Sequence, residues 1–168
     1  MAFLDRDETL NVDHVYVHKP DEVKLVDGAK QCLLKLVLDD LKLIMVTNQS
    51  GIGRGYFDLD DFQNTNQRLS DLLEIEFLNI YFCPHHFEAA VEKYRQNCIC
   101  RKPESGLFHQ AFTDYPVISK SDSIMSVDST RDLQASPTAR IGESYTLDFQ
   151  DTTILDGTAL NPDWIIID

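Results

Sequence analysis

The chain alternates short apolar runs with segments of helical periodicity. Uninterrupted apolar residues at 2–4 and 43–46 are typical of strands that are covered on both faces of a sheet. Further apolar and β-branched runs predict four more strands, at 77–82, 123–127, 144–147 and 164–167. Because strands and helices alternate and no linker interrupts them, we predict one three-layer α/β/α domain over residues 1–168 with a parallel sheet.

Apolar residues at helical spacing predict the intervening helices. Asp27 is expected to cap the first helix, whose buried stripe follows the i, i+3, i+4, i+7, i+8 pattern. The residues of that stripe are Ala29, Cys32, Leu33, Leu36 and Val37. A second helix is predicted to begin at Asp58 and to bury one face, made of Phe62, Leu69, Leu72 and Leu73. Further helices are expected at 105–113 and 131–139.

Composition and charge narrow the possible partners. The chain has 168 residues, of which 43% are hydrophobic, and a formal net charge of −13. That charge disfavours nucleic acid and anionic membranes. No apolar run approaches the roughly 20 residues of a membrane span, and no signal-peptide pattern precedes Asp5. We therefore expect a cytoplasmic monomer with neither a nucleic-acid nor a membrane partner, and its cysteines in metal or core positions.

Carboxylates stand at the ends of two predicted strands. Asp5 and Asp7 follow the first strand, and in extended backbone both would point to the same side of the sheet. Open α/β sheets bind ligands at the carboxyl ends of their strands, so the pair can supply a nucleophile and a general acid. A polar loop leaving a strand is the alternative. Asp128 ends the fourth strand, with Asp132 four residues later, and such a carboxylate suits Mg²⁺.

Two segments have the chemistry to hold an anion. The glycine-rich segment 47–55 is predicted as a loop whose backbone N–H groups can approach a phosphate, although such loops are often simple turns. Arg101 and Lys102 offer a planar fork and a point charge for phosphate oxygens. A solvated basic pair is the alternative for these two residues.

The spacing of cysteine and histidine predicts a metal site. Cys83-x-His85 and Cys98-x-Cys100, separated by twelve residues, supply three thiolates and one imidazole. Four such ligands fill a tetrahedral zinc shell and leave no position for water, so the zinc would brace loop 83–101. His86 is a competing ligand, but the matched x-spacing favours His85. A nucleic-acid-binding zinc module is the rival use and fits poorly with an acidic chain.

Together these motifs resemble the haloacid dehalogenase phosphatases. Asp5-x-Asp7-x-Thr9, Thr47, Lys102 and Asp128…Asp132 match the four motifs of that superfamily in order. The segments FLDRDETLN, NVDHVYVH, VTNQSGIGRGYF, YFCPHH and CICRKP further resemble its heptose 1,7-bisphosphate 7-phosphatases. The histidinol-phosphate phosphatases are a sister group with a shorter loop between the two ligand pairs. The resemblance implies a Rossmann-like fold without a large cap domain.

The resemblance also implies residue roles. Asp5 would form an aspartyl phosphate, and Asp7 would serve as general acid and then general base. Thr47 and Lys102 would hold the transferring phosphoryl group. Mg²⁺ would be held by Asp5, the Asp7 carbonyl and Asp128, while Asp132 would orient Lys102 or a metal-bound water. The positions that match the family's substrate contacts are Asp13, His14, Val15, Tyr16, Asn48, Gln49, Ser50 and Arg101.

Three positions depart from the family pattern. Glu8 stands where the family usually has glycine, and Val127 and Ser129 stand where it has glycine and lysine around Asp128. Glu8 adds a negative charge and Ser129 omits a positive one, so both weaken phosphate binding. We therefore expect reduced activity or an altered preference on a heptose bisphosphate. Histidinol phosphate, another small phosphate ester, and a zinc-braced protein that binds a phosphorylated ligand without turnover remain alternatives.

Overall fold

A computed structural model describes residues 1–117, 119–127, 143–147 and 164–166. The strands in these ranges form a six-stranded sheet. Its strands, in chain order, are β1 (Ala2–Leu4), β2 (Leu43–Asn48), β3 (Asn79–Cys83), β4 (Ile124–Val127), β5 (Glu143–Leu147) and β6 (Trp164–Ile166). They pair in the order β3-β2-β1-β4-β5-β6. The predicted parallel sheet is confirmed for the pairs β1–β2, β1–β4, β2–β3 and β4–β5, whereas β5 and β6 pair antiparallel. The direction of a strand depends on the path of the connecting chain, which an apolar run does not show.

Four α-helices connect the strands in the described ranges. They are α1 (Ala29–Leu38), α2 (Ser50–Arg54), α3 (Leu59–Leu73) and α4 (Gly106–Asp114). Short 3₁₀ turns lie at Pro20–Glu22 and Glu92–Tyr94. The predicted helix at 131–139 lies outside the described residues.

Alternate residues of the central strands pack on opposite faces of the sheet, as extended backbone requires. Phe3, Ile44 and Val46 lie in one core cluster with the buried side of α4. Ala2, Leu4, Leu43 and Met45 lie in a second cluster with the buried sides of α1 and α3. The prediction of three layers is therefore confirmed.

Helix α1 corrects two details of its prediction. Asp27 does not cap it: Gly28 occupies the N-cap with a φ of 81°, and glycine has no side chain that could make a capping bond. Val37 is 47% exposed, whereas Cys32 is buried as expected. At 3.6 residues per turn, Val37 lies about 90° from the centre of the buried stripe, which explains its exposure.

The glycine-rich segment after β2 is a short helix, not the predicted loop. Helix α2 packs directly on loop 83–101 (the zinc loop), where the carbonyl of Gly53 accepts a hydrogen bond from the Val91 N–H at 2.9 Å. A Cβ at Gly53 would collide with the Pro84 carbonyl, so the close approach requires glycine. Packing thus overrides the poor helix propensity of the sequence. This contact sets loop 83–101 against the end of β2.

Helix α3 begins where the sequence predicts. The Asp58 side chain accepts a hydrogen bond from the Asp61 N–H at 2.9 Å, and the Asp61 side chain accepts one from the Asp58 N–H at 3.1 Å. This reciprocal capping box satisfies two backbone donors that the helix leaves unpaired. Phe62, Leu69 and Leu73 are buried and Leu72 is partly buried, in line with the predicted face.

Candidate active site

A polar cavity of about 400 Å³ opens at the carboxyl ends of β1 and β2. Parallel sheets bind ligands at this edge because the loops that leave the strands diverge there. The cavity is lined by Asp5, Asp7, Glu8, Asp13, Val15, Tyr16, Thr47, Asn48, Gln49, Ser50, Arg54, Arg101 and Lys102. Most of the predicted catalytic and substrate-contacting side chains of the described region therefore meet at one place.

Asp5 and Lys102, which are far apart in sequence, form an ion pair in this cavity. The Lys102 Nζ lies 2.8 Å from the Asp5 Oδ2, and the two side chains are 2% and 14% exposed. Lys102 Nζ also donates to the Val46 carbonyl at 2.9 Å, while Asp5 Oδ1 accepts from the Arg6 N–H at 2.7 Å. The arrangement places an ammonium directly beside the predicted nucleophile.

Asn48 connects the end of β2 to the segment that carries Lys102. Its amide Nδ2 donates to the Lys102 carbonyl at 3.1 Å, and its Oδ1 accepts from the Lys102 N–H at 3.0 Å. Both ends of the amide are therefore used to hold the lysine backbone. Asn48 lies in the cavity wall, but these bonds make it a support for Lys102.

The Asp7 carboxylate accepts three hydrogen bonds and forms an ion pair with Arg6. Its Oδ1 accepts from Arg6 Nε at 2.9 Å and Asn11 Nδ2 at 3.2 Å, and lies 2.8 Å from Arg6 Nη2. Its Oδ2 accepts from Gln49 Nε2 at 2.8 Å. Gln49 Nε2 also donates to Thr47 Oγ1 at 3.0 Å, so the general-acid candidate and the buried Thr47 hydroxyl share one amide.

The loop after β1 forms another wall of the cavity. Val15 and Tyr16 have φ values of 67° and 65°, a region that residues with bulky side chains rarely occupy. Tyr16 packs edge-on against Tyr56 with 4.9 Å between ring centroids. His14, in contrast, is not among the described residues that line this cavity; it borders a separate depression with His18 and Lys24.

Acidic side chains crowd the mouth of the cavity. Burial and then the charge of Asp7 raise the pKa of Asp13 above its usual value, with a smaller contribution from Glu8. Within the described part of the chain, Asp13 Oδ1 is buried without a hydrogen-bond partner. Glu8 Oε1 accepts from the Asp13 N–H at 2.9 Å, and Glu8 has a φ of 61°. The backbone at position 8 is left-handed, a conformation that glycine adopts without strain, which explains why the family pattern has glycine at this position.

Arginines occupy the side of the cavity nearest the zinc loop. Arg101 Nη1 donates a hydrogen bond to the His85 carbonyl at 3.5 Å. Arg54, which the sequence analysis missed, lies with its Nη2 3.0 Å from His86 Nε2. Burial, Arg54 and Arg101 together lower the pKa of His86. The glycines around Arg54 favoured an interpretation in which backbone N–H groups contact the anion. The Arg54 side chain was therefore not predicted to line the cavity.

The four predicted zinc ligands lie together. The ligand atoms of Cys83, His85, Cys98 and Cys100 are all within 4.8 Å of one another. The three sulfurs are 2.7–3.5 Å apart, and His85 Nδ1 is 3.1 Å from the Cys100 sulfur. Burial raises the pKa of the Cys83 thiol to about 11, because it disfavours the charged thiolate, and the neighbouring Cys98 adds a smaller increase. This donor set fits a tetrahedral zinc ion.

Other predicted residues can be placed only in part. Thr47 and Ser50 line the cavity, as noted above. Asp128, Asp132 and Ser129 lie outside the described residues. Arg6 lies between Asp5 and Asp7 in the sequence, and its side chain is fully buried. It was not predicted as a site residue, because an Asp-Arg-Asp triplet does not show which way the middle side chain points.

No helix in the described ranges has the length and apolarity to cross a membrane.

Comparison with known proteins agrees with this geometry. The family model described as polynucleotide kinase 3 phosphatase matches residues 1–151. The D-glycero-β-D-manno-heptose-1,7-bisphosphate 7-phosphatase of Haemophilus influenzae is 42% identical over 142 residues, which cover 83% of this chain and 76% of that protein. The enzyme of the same name from Escherichia coli K12 is 41% identical over 143 residues, covering 83% of this chain and 74% of that protein.

Solved structures have the same fold. A HAD-like phosphatase of Mesorhizobium loti superposes with a TM-score of 0.80 at 30% identity, covering 88% of this chain and 71% of that one. The D,D-heptose 1,7-bisphosphate phosphatase of B. bronchiseptica, solved with magnesium and phosphate, superposes with a TM-score of 0.76 at 29% identity, covering 86% of this chain and 78% of that one. This chain therefore belongs to the haloacid dehalogenase superfamily of phosphatases, in the family of the polynucleotide kinase 3 phosphatase model.

Proposed function

We propose that this chain is a Mg²⁺-dependent phosphomonoesterase that removes the 7-phosphate of a heptose 1,7-bisphosphate. The single observation that carries the chemistry is the buried Asp5–Lys102 pair in a cavity that also contains Asp7 and Thr47. The relatives named as heptose bisphosphatases support the substrate. The partner is therefore a small phosphorylated sugar, acted on by a single domain over residues 1–168.

Asp5 is the proposed nucleophile. Its carboxylate attacks phosphorus, the bond from phosphorus to the sugar oxygen breaks, and Asp7 gives a proton to that oxygen. In the second step Asp7 takes a proton from water, the water oxygen attacks the aspartyl phosphate, and inorganic phosphate leaves with the Asp5 carboxylate restored. Lys102 and Thr47 hold the equatorial oxygens of the transferring group during both steps.

Magnesium fits the donors present at this edge of the sheet. The Asp5 carboxylate and the Asp7 carbonyl, with Asp128 as the expected third ligand, would hold it. Carboxylate and carbonyl oxygens are the ligands that Mg²⁺ prefers, and when bound it offsets the negative charge of the phosphoryl oxygens that faces Asp5. The crowding of Asp7, Glu8 and Asp13 around one cavity is an independent sign that a cation belongs there.

The remaining polar groups suit a sugar bisphosphate. Asp13 Oδ1, which has no hydrogen-bond partner among the described residues, can accept a hydrogen bond from a sugar hydroxyl. Arg101 is the proposed partner of the phosphate that is not transferred, because a guanidinium pairs with phosphate through two hydrogen bonds. Zinc is proposed to fill the cysteine–histidine cluster and to brace loop 83–101, which carries Arg101 to the cavity.

A substrate panel tests the proposal. Wild-type protein with Mg²⁺ is assayed on heptose 1,7-bisphosphate, histidinol phosphate and p-nitrophenyl phosphate, alongside Asp5→Asn. We expect the highest kcat/KM on the bisphosphate and no turnover by Asp5→Asn. Absence of Mg²⁺-dependent turnover on every ester would instead favour a protein that binds a phosphorylated ligand. A preference for histidinol phosphate would retain the reaction and overturn the substrate.

A further inference from the structure

The side chain of Arg6 is buried in a way that stability does not explain. It is 1% exposed, and within the described part of the chain its Nη1 has no hydrogen-bond partner. Burying a guanidinium with an unsatisfied nitrogen costs free energy, and a buried ion pair seldom repays that cost compared with apolar residues. A buried cation beside the active site therefore calls for a role in the reaction.

Arg6 directs its remaining donors at one oxygen of Asp7. Its Nε and Nη2 lie 2.9 and 2.8 Å from the Asp7 Oδ1. Nη2 also donates to the Val17 carbonyl at 3.1 Å, and the guanidinium lies 5.7 Å from the centre of the Phe62 ring. These contacts fix the guanidinium from three sides, so the Asp7 carboxylate is held at Oδ1 by a rigid partner.

The other oxygen of Asp7 has a different environment. Oδ2 contacts the neutral amide of Gln49, which lines the cavity and is itself buried. A side-chain amide can present either its nitrogen or its oxygen after rotation, so it can pair with a carboxylate or with a protonated carboxyl group. Oδ1, which faces a permanent cation, cannot carry a proton without losing that pairing.

We propose that Arg6 is the positioning residue of the general acid. It holds Oδ1 of Asp7, so that Oδ2 carries the proton that passes to the leaving sugar oxygen as the bond from phosphorus to that oxygen breaks. The guanidinium then stabilises the carboxylate that remains. This inference rests on the proposed function, in which Asp7 protonates the leaving group.

Leaving-group dependence separates this role from a structural one. An alkyl phosphate needs a proton on its departing oxygen, whereas p-nitrophenolate leaves readily without one. The value of kcat/KM reports steps up to formation of the aspartyl phosphate, where the proton is donated. The ratio of the two kcat/KM values does not depend on the fraction of protein that is folded, so it tolerates a destabilised variant.

The test compares heptose 1,7-bisphosphate with p-nitrophenyl phosphate for wild type, Arg6→Met, Arg6→Lys and Asp7→Asn. We expect Arg6→Met to lose roughly 10- to 100-fold more kcat/KM on the sugar phosphate than on the aryl phosphate. Asp7→Asn should shift the ratio further in the same direction. Arg6→Lys, which keeps the charge without the fork, should give an intermediate ratio and provides the answer if Arg6→Met does not accumulate.

Phe82→Leu is the matched control, because it removes a ring that packs on Phe62 with 4.5 Å between ring centroids and leaves the contacts of Arg6 described above in place. It should lower both activities equally. An equal loss on both substrates in Arg6→Met and Arg6→Lys would show a purely structural arginine and would overturn the proposal. Wild-type protein that hydrolyses neither ester would overturn the proposed function itself, a result distinct from an equal loss in the variants.

Discussion

Individual side chains set the electrostatic charge of the cavity that a phosphate enters. Glu8 lines the cavity with a carboxylate, and its side chain bonds the backbone of Asp13. Its left-handed backbone is a conformation in which glycine is the unstrained residue. The carboxylate therefore adds repulsion toward an anion at a position where the fold does not require a side chain.

Replacement of Glu8 by glutamine should improve phosphate binding. The variant removes the charge and keeps an oxygen that accepts from the Asp13 N–H, so the loop should stay in place. We expect KM for a phosphomonoester to fall roughly 2- to 5-fold in steady-state assays at low salt, with a smaller effect at high salt. Glu76→Gln, an exposed change of equal charge away from the cavity, should leave KM unchanged. A similar fall in both variants would assign the effect to net charge.

Arg101 is expected to distinguish one phosphate from two. In Arg101→Ala, kcat/KM for heptose 1,7-bisphosphate should fall roughly 10- to 100-fold, since a charge-assisted pair is lost. A monophosphate should lose less than about 3-fold by the same physical reasoning. Arg95→Ala is the control on the same loop, because that guanidinium bonds the Ala89 carbonyl at 2.7 Å. Equal losses on both substrates in Arg101→Ala would remove its assigned role.

Sequence reasoning reached some site residues and missed others for a physical reason. Asp5, Asp7 and Lys102 stand next to strand ends and a metal-ligand motif, so their places follow from local patterns. Arg6 and Arg54 are cations whose position depends on packing. Arg6 turns inward against Phe62, and Arg54 reaches the cavity only because α2 packs closely on the zinc loop. Neither contact can be predicted from the hydrophobic periodicity of the surrounding sequence.

At the scale of elements, apolar runs predicted every described strand, because a sheet covered on both faces needs continuous apolar sequence. The prediction failed at α2 and did not include the antiparallel pairing of β6. Glycine disfavours helix locally, and strand direction depends on the path of the connecting chain. Both failures therefore concern tertiary arrangement, which one segment of sequence does not contain.

The start of α3 offers a test of local stability. Asp58→Ala removes an N-cap side chain whose bond to the Asp61 N–H measures 2.9 Å. We expect the free energy of unfolding to fall by about 1 kcal/mol in urea denaturation. Asp60→Ala removes the same charge from the first turn without a capping bond, so it should have a smaller effect. Equal destabilisation by the two variants would mean that charge, and not the capping box, stabilises this end of α3.

At the scale of the whole molecule, the proposed zinc site connects loop 83–101 to the cavity. The proposed ligands lie on both sides of residues 86–97, and Arg101 and Lys102 follow Cys100 directly. Cys98→Ser should therefore release zinc, lower the free energy of unfolding by at least about 2 kcal/mol and reduce turnover. Metal analysis and thermal unfolding measure the first two effects.

Cys32→Ala is the matched control for this prediction. Cys32 is a buried core cysteine outside the metal cluster, so its replacement should retain zinc at the wild-type ratio. Its stability loss is expected to come from packing alone. Retention of zinc by Cys98→Ser, or loss of zinc from Cys32→Ala, would contradict the assignment of the metal site.

The proposed mechanism depends most on the carboxylate of Asp5 as the group that accepts the phosphoryl group. The direct measurement is a rapid acid quench of wild-type protein turning over heptose bisphosphate labelled in its 7-phosphate, followed by peptide mapping. We predict a labelled acyl phosphate on the peptide that contains Asp5, present only with Mg²⁺ and absent from Asp5→Asn. Release of labelled phosphate by Asp5→Asn at the wild-type rate, or a label on another residue, would contradict the role of Asp5 as nucleophile.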